Sequence, residues 1–169
     1  MAITERELFH GVVLAKLLRK VPDEAQKRLR LYEFFDDKSS AAYQIDAKEF
    51  LYIKHSKSPK PMTSKGYDLE WNFSYSLEHL KEIKELHSEA HVYTALVCGK
   101  QNIGEIKQME ICFLSPELLR DIIDLDSDRP QWIKVASMKK KGCSLRVWGT
   151  KNRAQDTKNI SQNSFDKWR

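Results

Sequence analysis

The chain has 169 residues, 41% of them hydrophobic and 31% charged, with a formal net charge of +5. That length supports one domain with a substantial core, the balance of apolar and charged residues excludes an intrinsically disordered chain, and no stretch approaches the roughly 20 apolar residues of a membrane-spanning helix. Cys98, Cys112 and Cys143 are odd in number and widely spaced, which excludes a disulfide framework and fits buried thiols in a reducing, cytoplasmic compartment.

Thr4-Glu5-Arg6-Glu7 has the spacing of a capping box and charges of both signs in place of a signal-peptide core. It predicts a helix with Leu8, Phe9, Val12, Val13, Leu17 and Leu18 on its buried side, stopped by Pro22. Residues 29–35 read as a strand, 36–40 as a turn, and 42–45 and 49–55 as two strands joined by the hairpin Asp46-Ala47-Lys48. Residues 56–66 form a basic, proline-punctuated loop.

The clearest periodicities lie between Asp68 and Cys98. From Asp68 to Tyr75 apolar and polar residues alternate, so Leu69, Trp71, Phe73 and Tyr75 point inward while Asp68, Glu70, Asn72 and Ser74 face water. Ser76 is a helix N-cap, followed by a stripe of Leu77, Leu80, Ile83 and Leu86 and a solvated side of Glu78, Lys81, Glu82, Lys84 and Glu85. His91 to Cys98 is nearly all apolar beyond its first residue and predicts an interior strand. Met109 to Leu114 is a further strand, and Ser115-Pro116-Glu117 opens a helix with Leu118, Leu119, Ile122 and Ile123 buried. A hairpin of 132–138 and 143–149 turns at Lys139-Lys140-Lys141-Gly142. The expected fold is α+β: a mainly antiparallel sheet, with room for a parallel pair, carrying about three helices. Residues 1–150 form a single domain, and 151–169 a basic polar tail anchored only by Phe165 and Trp168.

Charge is unevenly placed. Residues 139–169 hold nine Lys and Arg against two Asp, a local +7 that leaves the rest of the chain at −2, with an acidic stretch between Glu105 and Asp128. Such a basic end orients a protein on a polyanion. Lys57 and Lys60 in the loop, with Lys139, Lys140, Lys141, Arg146, Lys151 and Arg153, are candidate phosphate contacts, and Trp148 is a candidate stacking partner for a base.

A helix bearing Glu7, a run of strands, then a helix and a buried strand resembles, over about Thr4 to Cys98, the restriction-endonuclease-like PD-(D/E)XK nuclease core. The chain departs from it in having no Pro before Asp46 and no Glu-x-Lys on the strand 68–75. The resemblance implies a Mg²⁺ ion held by Asp46, Asp68 and Glu70, with Lys54 or Lys65 near the phosphate and Glu7 as the helical acid. Asp68, Glu70 and Lys54 would then be catalytic, in a nucleic-acid-associated protein of prokaryotic or phage type. Asp68 and Glu70 are equally the wet face of an amphipathic strand, and the alternative function is a non-catalytic module that binds a protein through the acidic 117–128 edge or through Trp132 and Trp148. His87, His91 and Cys98 mark a third option, a small-molecule enzyme, although His91 opens a strand and so turns away from His87.

Overall fold

The computed structural model describes residues 3–20, 30–32, 40–100, 109–140, 142, 144–152 and 154–168. Lys141, Cys143 and Arg153, and most of the strand expected at 29–35, lie outside these residues.

Helix α1 (Glu5–Leu18) starts at the expected capping box: Thr4 Oγ1 accepts from Glu7 N–H, and the Glu7 carboxylate accepts from Thr4 N–H. Two five-stranded sheets follow, where the sequence suggests one. The first contains β1 (Arg30–Tyr32), β2 (Ser40–Asp46), β3 (Glu49–Ser56), β6 (His91–Cys98) and β7 (Glu110–Leu114), in the order β1-β2-β3-β6-β7. The second contains β4 (Lys60–Pro61), β5 (Tyr67–Tyr75), β8 (Gln131–Met138), β9 (Leu145–Gly149) and β10 (Lys158–Ile160), in the order β10-β9-β8-β5-β4. Every pairing is antiparallel except β3 with β6, which run parallel from Glu49 opposite His91 to Ser56 opposite Cys98. Parallel neighbours need a long crossover. Here it leaves the first sheet, forms β4 and β5 in the second, and returns through α2 (Leu77–Glu89). The short helix α3 (Pro116–Ile122) carries the expected Ser115 cap and Pro at its start.

The first sheet is covered on both sides, as the apolar run of β6 requires. On one face Phe9, Val13 and Leu17 of α1 pack with Tyr43, Ile53, Val97 and Phe113, and Phe165 closes this cluster. On the other, Tyr52, Leu96 and Leu114 meet Trp71, Phe73, Ile133 and Val147 of the second sheet, together with Ile83 of α2 and Ile122 at the end of α3. The second sheet therefore has one face in the core and one face outward. Trp71 stitches the layers together by donating Nε1–H to Gly99 O at 2.7 Å. The approach is close: a Cβ on Gly99 would fall 2.3 Å from the Phe9 ring, which would have to move.

Several side chains depart from expectation, among them Leu18, which is exposed at the last turn of α1. Leu77 is 43% exposed, since it begins α2 before the helix has settled on the sheet. Glu82 is 3% exposed rather than solvated: it sits one turn before Leu86, on the side of α2 that packs inward. Lys54 is 4% exposed, because β3 alternates and Lys54 falls on the same face as Phe50 and Tyr52. The tail, too, is more than an anchored end. It contributes β10, which pairs with β9 and puts Ile160 into the core. No helix among the described residues is long and apolar enough to cross a membrane.

Candidate nucleic-acid interface

The outward face of the second sheet gathers polar, basic and aromatic side chains by strand alternation. On β5 the apolar Trp71, Phe73 and Tyr75 point in, so Glu70, Asn72 and Ser74 point out. On β8 the inward residues are Ile133 and Val135, so Trp132 and Lys134 point out. The register then builds rows across the sheet: Ser74 beside Trp132; Asn72 beside Lys134 and Trp148; and Lys60, Glu70, Ala136, Arg146 and Asn159 in one line.

Lys134 is the centre of this face. Its Nζ lies 2.9 Å from Glu70 Oε1 and 5.6 Å from the centroid of the Trp132 ring, so one ammonium bridges a carboxylate and a π-face. Ser58, Lys60, Glu70, Asn72, Ser74, Pro130, Gln131, Trp132 and Lys134 line a groove of about 580 Å³. Gln131 builds the rim: its Oε1 accepts from Asp124 N–H at 3.3 Å and its Nε2 donates to Ser127 Oγ at 2.9 Å. At the far end of the sheet Lys139 N–H donates to Gly66 O, which sets the exposed Lys139 and Lys140 beside the exposed Lys65. Across face and sheet end, Lys60, Lys65, Lys134, Lys139, Lys140 and Arg146 outnumber Asp68 and Glu70.

No protein-family model, curated protein or solved structure matches this chain.

The expected metal ligands divide between the sheets. Asp68 and Glu70 share the outward side of β5 as anticipated, but Asp46 ends β2 in the first sheet, where its Oδ1 accepts from Lys48 N–H at 2.8 Å and shapes the hairpin. Among the described residues no three His, Cys, Asp or Glu side chains are grouped to hold a metal ion. Glu7 serves the α1 cap, and its hydrogen bonds from Thr4 hold its carboxyl below the usual range. Lys54 faces the interior, its Nζ 5.4 Å from the centre of the Tyr75 ring.

The expected phosphate contacts divide similarly. Lys60 and Arg146 lie on the outward face, where Arg146 donates to Asn159 Oδ1. Lys139 and Lys140 sit at its end. Lys57 instead pairs with Glu5 of α1, and Lys151 reaches across to donate to Arg120 O at 2.7 Å. Trp148 is on the right face but only 5% exposed, and Asn152 and the turn at Ala154–Asp156 lie against β9. Trp132, two residues before Lys134 on the same face, is partly exposed.

Other polar clusters emerge that sequence spacing does not show. Tyr43 Oη lies 3.4 Å from His10 Nδ1, and His10 Nε2 lies 3.4 Å from His55 Nδ1, a chain of three groups beneath α1. On the opposite side of the molecule His87 Nδ1 accepts from Arg120 Nη2 at 3.2 Å. Burial first, and then the Arg120 charge, push the His87 imidazole down to about 4. Burial also pushes the Cys98 and Cys112 thiols up, so neither is poised as a nucleophile.

Proposed function

We propose that this protein binds nucleic acid through the outward face of its second sheet, and that it binds without cutting. One observation carries the reading: Lys134, held between Glu70 and Trp132 on the floor of an open groove, presents a cation and an aromatic ring side by side. Phosphate affinity needs cations set along a track, and base affinity needs a ring. Lys60, Lys134 and Arg146 lie along the rows of this face, and Lys139 and Lys140 extend it at one end. Binding without cutting is favoured because Asp46 is in the other sheet from Asp68 and Glu70, so these carboxylates do not converge as a metal-dependent phosphodiesterase requires.

Charge alone gives weak, placeless binding, so the test must separate position from charge. Oligonucleotide affinity is measured by fluorescence anisotropy across a salt series for the wild type, the double variant Lys60→Gln/Lys134→Gln, and Lys57→Gln. The on-face double variant is expected to weaken binding and to lower the salt slope by about 0.7 to 0.9 per lost phosphate contact. Lys57→Gln, which removes a cation beside α1, is expected to leave both unchanged. Equal losses from all substitutions, in proportion to charge alone, would overturn the reading, as would no binding at all near physiological salt.

A further inference from the structure

We infer that the nucleic acid taken by this face is single-stranded, with a base stacked on Trp132. The inference rests on the reading of the face as a nucleic-acid surface and narrows its substrate class.

The Trp132 ring lies on the sheet floor beside Ser74, within a groove whose lining also includes Pro130 and Ser58. It carries the Lys134 ammonium at 5.6 Å, so one π-face is turned toward a cation rather than into the core. Bases in a duplex have their faces covered by stacking and show only their edges in the grooves. They could touch the rim lysines but not the ring. An unpaired base brings an open face, and stacking on aromatic side chains is how proteins hold single strands without sequence readout. Trp132 and Lys134 are two residues apart on one strand, about 6.8 Å. A base on that ring face takes the place of the Lys134 ammonium, which stays paired with Glu70 and turns its remaining N–H groups to the adjoining phosphate. Asn72 and Ser74, both exposed on the neighbouring strand, stand where a base edge would be offered hydrogen bonds. Lys60, across β5, lies where the backbone leaves the groove.

The aromatic inventory makes this measurable. Of the four tryptophans, Trp71 and Trp148 are 1% and 5% exposed, so a stacking quench can come only from Trp132 or Trp168. Trp168 packs on Tyr93 and Phe113 of the first sheet, away from the groove. Intrinsic fluorescence is titrated with a homothymidine oligonucleotide, a homouridine oligonucleotide and a duplex of equal length, for the wild type, Trp132→Ala, Trp132→Phe and Trp168→Ala. The expected result is quenching by the single strands and not by the duplex. Affinity for single strands should fall about tenfold or more in Trp132→Ala, recover in Trp132→Phe by anisotropy, and stay unchanged in Trp168→Ala. Equal binding of duplex and single strands with indifference to Trp132→Ala would overturn the inference while leaving the basic face as a nucleic-acid surface. A quench that disappears with Trp168 instead would also overturn it. Failure of every nucleic acid to bind would overturn both readings.

Discussion

At the scale of single residues, the protein shows how burial and one neighbour decide a protonation state. Arg120 donates to His87 Nδ1, so the ring proton sits on Nε2, which is itself buried with no hydrogen-bond partner among the described residues. A second proton would have to share that environment with a guanidinium, and the imidazole is pushed from its ordinary 6.5 to about 4, with Glu117 opposing only in part. The sign of the linkage follows. Between about pH 6.5 and about 4 the unfolded chain takes up a proton that the folded chain refuses, so stability falls as pH drops through that window. An NMR titration should find His87 neutral until about pH 4, and His87→Gln should flatten the acid slope of denaturant stability. A His87 midpoint near 6.5 would contradict this. The residues of the proposed interface were partly legible in the sequence. Trp132 and Lys134 stand two apart in a strand pattern, which by itself puts them on one face. Lys54 was not legible, because a lysine in a strand reads as solvated unless the opposing layer is known.

At the scale of elements, the caps and close contacts hold the geometry. Thr4→Ala removes the α1 cap and should cost about 1 kcal/mol in chemical denaturation. Gly149, at the end of β9, is a sharper case. A Cβ there would fall 2.6 Å from Ile122 O and 2.8 Å from Trp132 O, both backbone atoms. Gly149→Ala must therefore shift α3 or β8 and is expected to cost about 1 to 3 kcal/mol. It should also disturb ligand binding, since Trp132 is the residue displaced. Gly99→Ala meets only the Phe9 ring, which can turn aside, and should cost less. Caps and strand faces were readable because they depend on near neighbours in the chain. The positions of α1, α2, α3 and most strands followed from the capping residues and the periods of 3.6 and 2.

At the scale of the whole molecule, the division into two sheets was the hidden feature. Alternation says which side chains of β5 face water; it does not say that β5 pairs with β8 rather than with β3. That choice depends on contacts far apart in sequence, and the same is true of Asp46, which the hairpin keeps in the first sheet. The role of the tail is hidden in the sequence for the same reason. Lys158 to Ile160 is too short and polar to announce a strand, yet it completes the second sheet, and Phe165 and Trp168 seal the first against α1. Phe165 is 1% exposed, and Phe165→Ala should cost about 3 to 5 kcal/mol in denaturation. Binding should survive that substitution wherever the fold does, because Phe165 lies on the side of the first sheet remote from the groove.

The claim that the outward face of the second sheet is where nucleic acid binds is tested most directly by mapping backbone amide shifts as a short single-stranded oligonucleotide is added. Shifts concentrated at Lys60, Glu70, Asn72, Ser74, Trp132 and Lys134 are the result the account predicts. Shifts centred on Lys57, on Lys151 and Arg120, or on the carboxylate-bearing hairpin at Asp46, would contradict it.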